Sequence, residues 1–325
     1  MKAIVQDRYG PADVLELRDV PRPVAGEDEV LIRVHAASVN HADHAVMTGV
    51  PYLGRLAFGP LRPKVAIRGR DVAGRVVAVG GGVRHLRPGD EVYAEAETGT
   101  FAEYVAVPAD RVAVKPATLT FEEAATVPLA GGTALQGLRD RGELQPGQKV
   151  LINGASGGVG TLAVQIARAL GAEVTGVCGT RNVDLVRSLG ADHVVDYRRE
   201  DFTRGDRRYD LILDLAGNRS LSDCRRALTP TGTLVLSSAS GGRLLGPLGR
   251  VLRASVLSPF VRQRLRVLVA SPSGRLLADL TELVEFGKIV PVVERTYPLH
   301  ETPEALRHLA EEHARSKLVI VVPPV

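Results

Sequence analysis

The chain has 325 residues, of which 45% are hydrophobic, 24% charged and 4% aromatic. That length suits two domains and a sizeable core, and the apolar content excludes wholesale disorder. The formal net charge of +4, mostly arginine, is scattered and does not argue for nucleic acid, and the two cysteines, Cys178 and Cys224, make neither a disulfide framework nor a four-cysteine zinc site. No run of about 18 apolar residues occurs, so no membrane span is expected. The N-terminus meets Asp7 at once, without the apolar stretch of a signal peptide, and the expected address is the cytoplasm.

The first 120 residues read as β-rich. Short Val/Ile/Leu runs are separated by Pro, Gly and Asp: Glu29 to Val34, Val72 to Val79, Glu91 to Ala94, Tyr104 to Val107 and Arg111 to Val114. Such strands with frequent turn signals predict a small barrel or sandwich. Phe121 to Leu138 is Ala/Gly-rich with a helical pattern, and Pro146-Gly147 marks a turn.

Strand and helix then alternate. Strands are predicted at Lys149–Asn153, Glu173–Val177, His193–Asp196, Tyr209–Asp214 and Thr233–Leu236. Helices are predicted at Val159–Leu170, Asn182–Leu189 and Leu221–Leu228. Repeated β-α-β with buried, unalternating strands predicts a doubly wound parallel sheet. Val267–Val269 and Leu276–Phe286 extend it by one strand and one helix. The tail reads as strand at Val292–Arg295, helix at Pro303–His313 and strand at Leu318–Val322, returning to the first domain. The expected class is α/β, with a β-rich domain (1–120 and 291–325) and a doubly wound Rossmann-type domain (121–290).

Between the first strand and helix of that alternation lies Asn153-Gly154-Ala155-Ser156-Gly157-Gly158-Val159-Gly160. Ala155, Gly157 and Gly160 occupy the three places of the G-x-G-x-x-G fingerprint. These serve a tight turn, close approach to a pyrophosphate and close packing of helix on strand. N–H groups at the helix start then face the phosphates, so Ala155 to Gly160, with Ser156, Gly158 and Val159 among them, are expected to bind a dinucleotide. An NAD site usually places Asp or Glu after the second strand, to hold the ribose 2′-hydroxyl. Here Gly179-Thr180-Arg181-Asn182 follows it, with no carboxylate. Arg181 suits a 2′-phosphate, and Tyr197, past the third strand, adds a hydroxyl. The expected cofactor is therefore NADPH, with Arg181, Asn182 and Tyr197 among its contacts.

These motifs fall in an order that resembles a known family. They are Ser38-Val39-Asn40-His41-Ala42-Asp43, Gly69-Arg70-Asp71-Val72-Ala73-Gly74, Pro88-Gly89-Asp90-Glu91-Val92, Ala124 to Ala134, Gly154 to Gly160 and Ser188-Leu189-Gly190-Ala191-Asp192. The chain resembles the medium-chain dehydrogenase/reductase superfamily, in its zinc-free quinone oxidoreductase (zeta-crystallin-like) branch. The resemblance implies a GroES-like catalytic domain beside a Rossmann domain, a cofactor in the cleft between them, and a homodimer. Zinc-dependent members hold the metal with cysteine and histidine. Asn40 stands at the first cysteine's place and Arg70 at the histidine's, so no metal is expected. His41 and His44 read as surface or packing residues.

Without a Lewis acid, acceptors that take hydride readily are favoured, namely quinones and α,β-unsaturated carbonyls. The resemblance puts Asn40, Asp43 and Tyr52 on the substrate side, Asn40 as a donor to a substrate oxygen, Tyr52 as proton donor or stacking surface, and Asp43 orienting its neighbours. It puts Thr126 near the nicotinamide and Lys317 at the cleft edge, where the plain alternative is an exposed lysine. Val50-Pro51 before Tyr52, and the long stretch Leu53 to Pro63, depart from the simplest members and leave the substrate open. Alternatives are an enoyl-thioester or alkenal reductase, or a non-catalytic NADPH-binding regulator. Cys224 to Ala278 has no Asp or Glu but many arginines, among them Arg243 and Arg250. A solvated or dimer-facing helical insertion is favoured there over a membrane-docking patch, because Phe260 is its one aromatic.

Overall fold

The computed structural model describes residues 1–237, 246, 248–311 and 314–323. In chain order the elements are β1 (Lys2–Gln6), β2 (Leu15–Asp19), β3 (Glu29–Ser38), α1 (His41–Thr48), α2 (Arg55–Phe58), β4 (Asp71–Val79), β5 (Glu91–Glu95), β6 (Tyr104–Pro108) and β7 (Val112–Val114). There follow α3 (Phe121–Ala125), α4 (Pro128–Leu135), β8 (Lys149–Asn153), α5 (Gly158–Ala169), β9 (Glu173–Cys178), α6 (Val183–Ser188), β10 (His193–Asp196) and β11 (Tyr209–Asp214). The remainder holds α7 (Leu221–Ala227), β12 (Leu228–Leu236), α8 (Leu248–Leu257), β13 (Arg264–Val267), α9 (Gly274–Glu285), β14 (Val293–Pro298), α10 (Thr302–Glu311) and β15 (Lys317–Val321).

The chain divides into two compact units. One comprises Met1–Gly132, Ser271–Gly287 and Pro291–Val325, the other Thr133–Ala270 and Lys288–Val290. The first unit is built on a sheet of order β14-β15-β3-β4-β5-β7, with β6 also paired to β3. Its core follows strand alternation: Val30, Ile32 and Val34 of β3 pack with Val72 and Val76 of β4. The C-terminal β15 lies against β3, pairing Val319 with Ser38 and Val321 with Ala36.

The second unit is a parallel sheet of order β10-β9-β8-β11-β12-β13. Its strands are apolar runs, such as Val150-Leu151-Ile152, that are fully enclosed because helices cover both faces. The strand order reverses between β8 and β11, and ligands of such sheets bind at that switch point, beyond the strand C-termini.

Several elements differ from the sequence expectation. The helix expected over Phe121–Leu138 is broken into α3, α4 and a π-helical stretch at Gln136–Arg141. Pro128 has no N–H to continue α3 and instead opens α4. The helix expected at Leu276–Phe286 belongs to the first unit, not to the parallel sheet. There Tyr93 donates from its hydroxyl to Leu277 O at 2.8 Å. The last parallel strand lies at Arg264–Val267, earlier than expected. β1, β2, α1, α2 and α8 have no counterpart among the expected elements.

The acid-free stretch has structural partners. Arg264 and Arg266 both pair with Glu143 at 2.6 Å, and Arg250 pairs with Asp214 at 2.5 Å. Arg243 lies outside the described residues. No helix among the described residues is long and apolar enough to cross a membrane.

Candidate active site

In the second unit, the turn after β8 is shaped by its glycines. Gly154 has φ +96°, a left-handed conformation that glycine adopts freely. A Cβ on Gly160 would stand 2.1 Å from Gly154 O, so only glycine fits the start of α5. A Cβ on Gly157 would have no neighbour closer than 3.5 Å within the protein, so what glycine leaves open there is space for a ligand. Ala155 is enclosed, and a Cβ on Gly176 of β9 would sit 3.1 Å from the Ala155 Cβ. The alanine in the first fingerprint place is thus matched by a glycine on the neighbouring strand.

Side chains around the turn are tied down. Asn182 is buried and donates from Nδ2 to Ser156 Oγ at 3.0 Å. Asn153 Nδ2 donates to Asp214 Oδ1 at 2.8 Å and to Asn218 Oδ1 at 3.0 Å. Asp214, at the end of β11, is fully enclosed and also accepts from Gly217 N at 2.9 Å. Past β9, Arg181 is exposed. The carboxylate on the next strand, Asp196, accepts from Thr180 Oγ1 at 2.7 Å and from Arg198 N at 3.1 Å. These bonds hold Asp196 below the usual carboxylate range. Tyr197 is 44% exposed, and its hydroxyl lies over Gly179, 3.0 Å from where a Cβ would be. The turn residues, Ser156, Asn182, Tyr197 and Arg181 therefore surround the C-terminal ends of β8 and β9.

In the first unit, Asn40, Asp43 and Lys317 come together with two residues that sequence reasoning missed, Ser38 and Asp71. Asp71 opens β4 and is fully enclosed. Its Oδ2 accepts from Ser38 Oγ at 2.6 Å and from Asn40 Nδ2 at 3.0 Å, and its Oδ1 accepts from Leu129 N at 2.9 Å. Lys317, at the start of β15, donates to Asn40 Oδ1 at 2.6 Å and pairs with Asp71 Oδ2 at 3.3 Å. Lys317 is 4% exposed, so the plain alternative of an exposed lysine is overturned: β15 lies against β3 and carries the ammonium inward. Asn40 Nδ2 also donates to Ser38 O at 3.3 Å, so both amide protons have protein acceptors. Donation from Asn40 to a substrate oxygen would require it to give one of these up. The Gly69-Arg70-Asp71 motif marks the position of Asp71 without giving it a role, and its ammonium partner stands 246 residues later.

Asp43 accepts from Asn40 N at 2.9 Å, as the N3 residue of a capping box for α1. Burial pushes its carboxyl up to about 6, with Asp71's charge adding to the rise. Glu95 is pushed up to about 7, first by burial and then by Asp71, despite Arg70 at 2.7 Å. Thr126 is buried and donates to Glu123 O at 2.7 Å. Tyr52 is 42% exposed, with the Arg55 guanidinium 4.9 Å from its ring centre. The donor set does not fit catalytic zinc. Asn40 presents an amide carbonyl already bonded to an ammonium, Arg70 is a guanidinium, and Asp71 is paired with Lys317.

Residues 26–117 match the model of the alcohol dehydrogenase GroES-like domain, and residues 189–320 match that of the zinc-binding dehydrogenase. The chain is 36% identical to the mitochondrial NAD(P)H oxidoreductase RTN4IP1 of Bos taurus over 359 residues, covering 99% of this chain and 89% of the relative. This chain belongs to the medium-chain dehydrogenase/reductase superfamily. Within it, this dehydrogenase/reductase falls in the quinone oxidoreductase branch. It is 34% identical to the chloroplastic NADPH-dependent alkenal/one oxidoreductase of Arabidopsis thaliana, covering 98% of this chain and 79% of that relative. It superposes on the quinone oxidoreductase from Coxiella burnetii with a TM-score of 0.85 and 32% identity, covering 99% of each chain. The expected pairing of a GroES-like unit with a Rossmann-type sheet is borne out. Two of these relatives are named for mitochondria and chloroplasts, so they do not support the expected cytoplasmic address.

Proposed function

We propose that the chain is an NADPH-dependent reductase that passes hydride to a quinone or α,β-unsaturated carbonyl without a metal. The observation that carries this reading is the glycine turn at the switch point of the parallel sheet, combined with a second strand that is followed by Gly179-Thr180-Arg181 rather than a carboxylate. Asp196, on the neighbouring strand, is already engaged by Thr180 and Arg198. The printed names of the relatives, an NAD(P)H oxidoreductase and an NADPH-dependent alkenal/one oxidoreductase, support an oxidoreductase of this type.

Residues Ala155 to Gly160 would hold the pyrophosphate on the first N–H groups of α5. Arg181, Asn182 and Tyr197 would hold the adenosine ribose and its 2′-phosphate. Thr126 and Lys317 would lie toward the nicotinamide. When bound, the reduced nicotinamide supplies a hydride, and the accepting carbon's conjugated oxygen takes the charge. On the substrate side, Tyr52 has an exposed ring and hydroxyl to stack on a flat acceptor or give up a proton. Asp43, whose carboxyl burial pushes up to about 6, braces Asn40 through its backbone N–H. Lys317, fixed by Asp71 and Asn40, supplies a preorganised positive charge.

Initial-rate measurements with NADPH and NADH, against menadione, an alkenal and an enoyl thioester, test the proposal. A lower KM for NADPH, with turnover of menadione or the alkenal, is the expected result. Preference for NADH would remove the cofactor assignment. Turnover of the enoyl thioester alone would favour that alternative, and nucleotide binding without turnover of any acceptor would refute the enzyme reading.

A further inference from the structure

Arg68 follows Ile67, which bridges to Val5 of β1. It is 5% exposed, and its Nε and Nη2 nitrogens are enclosed without a hydrogen-bond partner among the described residues. Those two nitrogens form one edge of the guanidinium plane. It is an edge that meets a carboxylate through two parallel N–H···O bonds. Leaving it unmatched inside a protein is costly, because a buried donor loses water and gains nothing. Burial accordingly lowers the Arg68 pKa, while Asp43 and Tyr9 act in the opposite sense.

The surroundings favour an anion. From His44 to Arg70 the chain has no Asp or Glu, yet it carries Arg55, Arg62, Lys64, Arg68 and Arg70. The Arg55 guanidinium lies 4.5 Å from the Tyr9 ring centre and 4.9 Å from that of Tyr52. Tyr9 in turn feels the charges of both Arg55 and Arg68. Arg68 thus lies within electrostatic reach of Asp43 and Tyr9, and the Arg55 guanidinium spans the Tyr9 and Tyr52 rings, Asp43 and Tyr52 being substrate-side residues of the proposed reaction.

We infer that Arg68 anchors a carboxylate on the substrate, so that the preferred acceptor is an α,β-unsaturated carbonyl compound that also carries an acid group. The inference rests on the reductase reading above and narrows its substrate class. Binding asks Arg68 to turn its unmatched edge toward the ligand, a rotamer change of the kind common at binding surfaces. A lysine there would keep the charge but lose the two-pronged geometry.

The test compares trans-4-oxo-2-pentenoate with its methyl ester in NADPH-dependent turnover, for the unaltered chain, Arg68→Leu, Arg68→Lys and Arg62→Leu. The acid-to-ester ratio in kcat/KM should favour the acid in the unaltered chain and fall at least about ten-fold in Arg68→Leu. It should fall part-way in Arg68→Lys and hold in Arg62→Leu, which removes an exposed arginine from the same segment. An equal ratio in the unaltered chain and both Arg68 variants overturns the inference. So does an equal fall in Arg62→Leu, which would mean general attraction. A second arm titrates the non-reducible 4-oxopentanoate calorimetrically against the folded proteins. If neither acceptor is turned over while menadione is, the inference fails and the reductase reading stands; if menadione is not turned over either, the reductase reading fails, yet binding of 4-oxopentanoate that is lost in Arg68→Leu and weakened in Arg68→Lys would still support the anchor. No binding to the unaltered chain would sink it. If Arg68→Leu does not fold, Arg68→Lys carries both arms.

Discussion

Lys317→Met and Asp71→Asn form a double-mutant cycle on the buried pair in the first unit. Both side chains are essentially enclosed, with exposures of 5% and 0%. Breaking such a pair by removing one partner typically costs about 3–5 kcal/mol, because the survivor keeps a desolvated charge. The two single variants should differ. Without Lys317, Asp71 still accepts from Ser38, Asn40 and Leu129, so the loss belongs at the lower end, about 3 kcal/mol. Without the Asp71 charge, Lys317 keeps only the carbonyls of Asn40 and Val39, and the substituted amide turns an N–H toward a donor. That loss belongs at the upper end, about 5 kcal/mol. The double variant should be more stable than the sum of the single losses by about 2 kcal/mol, since no lone charge is left inside. Urea unfolding read by far-ultraviolet circular dichroism measures all four corners; the chain contains no Trp. Additive losses, or a Lys317→Met cost below about 1 kcal/mol, would refute the claim that the pair is buried and coupled.

Glu95 supplies a pH-dependent term. Its carboxyl is raised from 4.5 to about 7, so the folded state holds its proton more tightly than the unfolded chain. Stability from this group is full below about pH 4.5 and declines as pH rises toward 7, by at most about 3 kcal/mol. Glu95→Gln should flatten the unfolding profile across that window, and an unchanged slope would argue against the shift. Gly157→Ala and Gly160→Ala separate ligand space from packing. The first should leave stability within about 0.5 kcal/mol and raise the NADPH Kd about ten-fold or more, while the second should cost about 1–3 kcal/mol through overpacking. Equal effects in denaturation and NADPH titration would contradict the contact distances. Arg181→Leu should raise KM for NADPH about ten-fold with little change for NADH, and a parallel change for both would deny it the 2′-phosphate. Cys178 and Cys224, whose thiols burial pushes up to about 11 and about 12, should resist an aromatic disulfide reagent at pH 8 until the chain is unfolded.

The parallel sheet was legible because its strands carry no polar alternation and its helices end at Gly171 and Gly190. Both properties are local. The glycine turn was legible for the same reason, since its spacing is set by backbone approach rather than by distant partners. What escaped was non-local or brief. β2 alternates weakly, with Leu15 buried and the rest of Leu15–Asp19 largely outside, so its pattern hides among polar residues. α1 spans only His41–Thr48, and its one clear mark is Asp43 three residues after Asn40. The break at Pro128 was readable from the proline itself, because the residue before it is pushed out of helical geometry. Lys317 could not be placed from its neighbours, as its partners Asn40 and Asp71 are set by the pairing of β15 with β3. Arg68 gives no signal in the sequence; among the described residues Arg70, Arg219 and Arg250 also enclose an unpartnered nitrogen, but each of those has a carboxylate partner and Arg68 has none.

The insertion of β15 between β14 and β3 has a bearing on biosynthesis. The ribosome releases the first residues of this sheet long before the strand that must lie against them exists. Every residue of the parallel unit, by contrast, is made before Pro291. The parallel half is therefore able to mature while the half begun first still waits for its closing piece. Until that piece arrives, the free flank of β3 and the lone carboxylate of Asp71 are what a nascent-chain chaperone would meet.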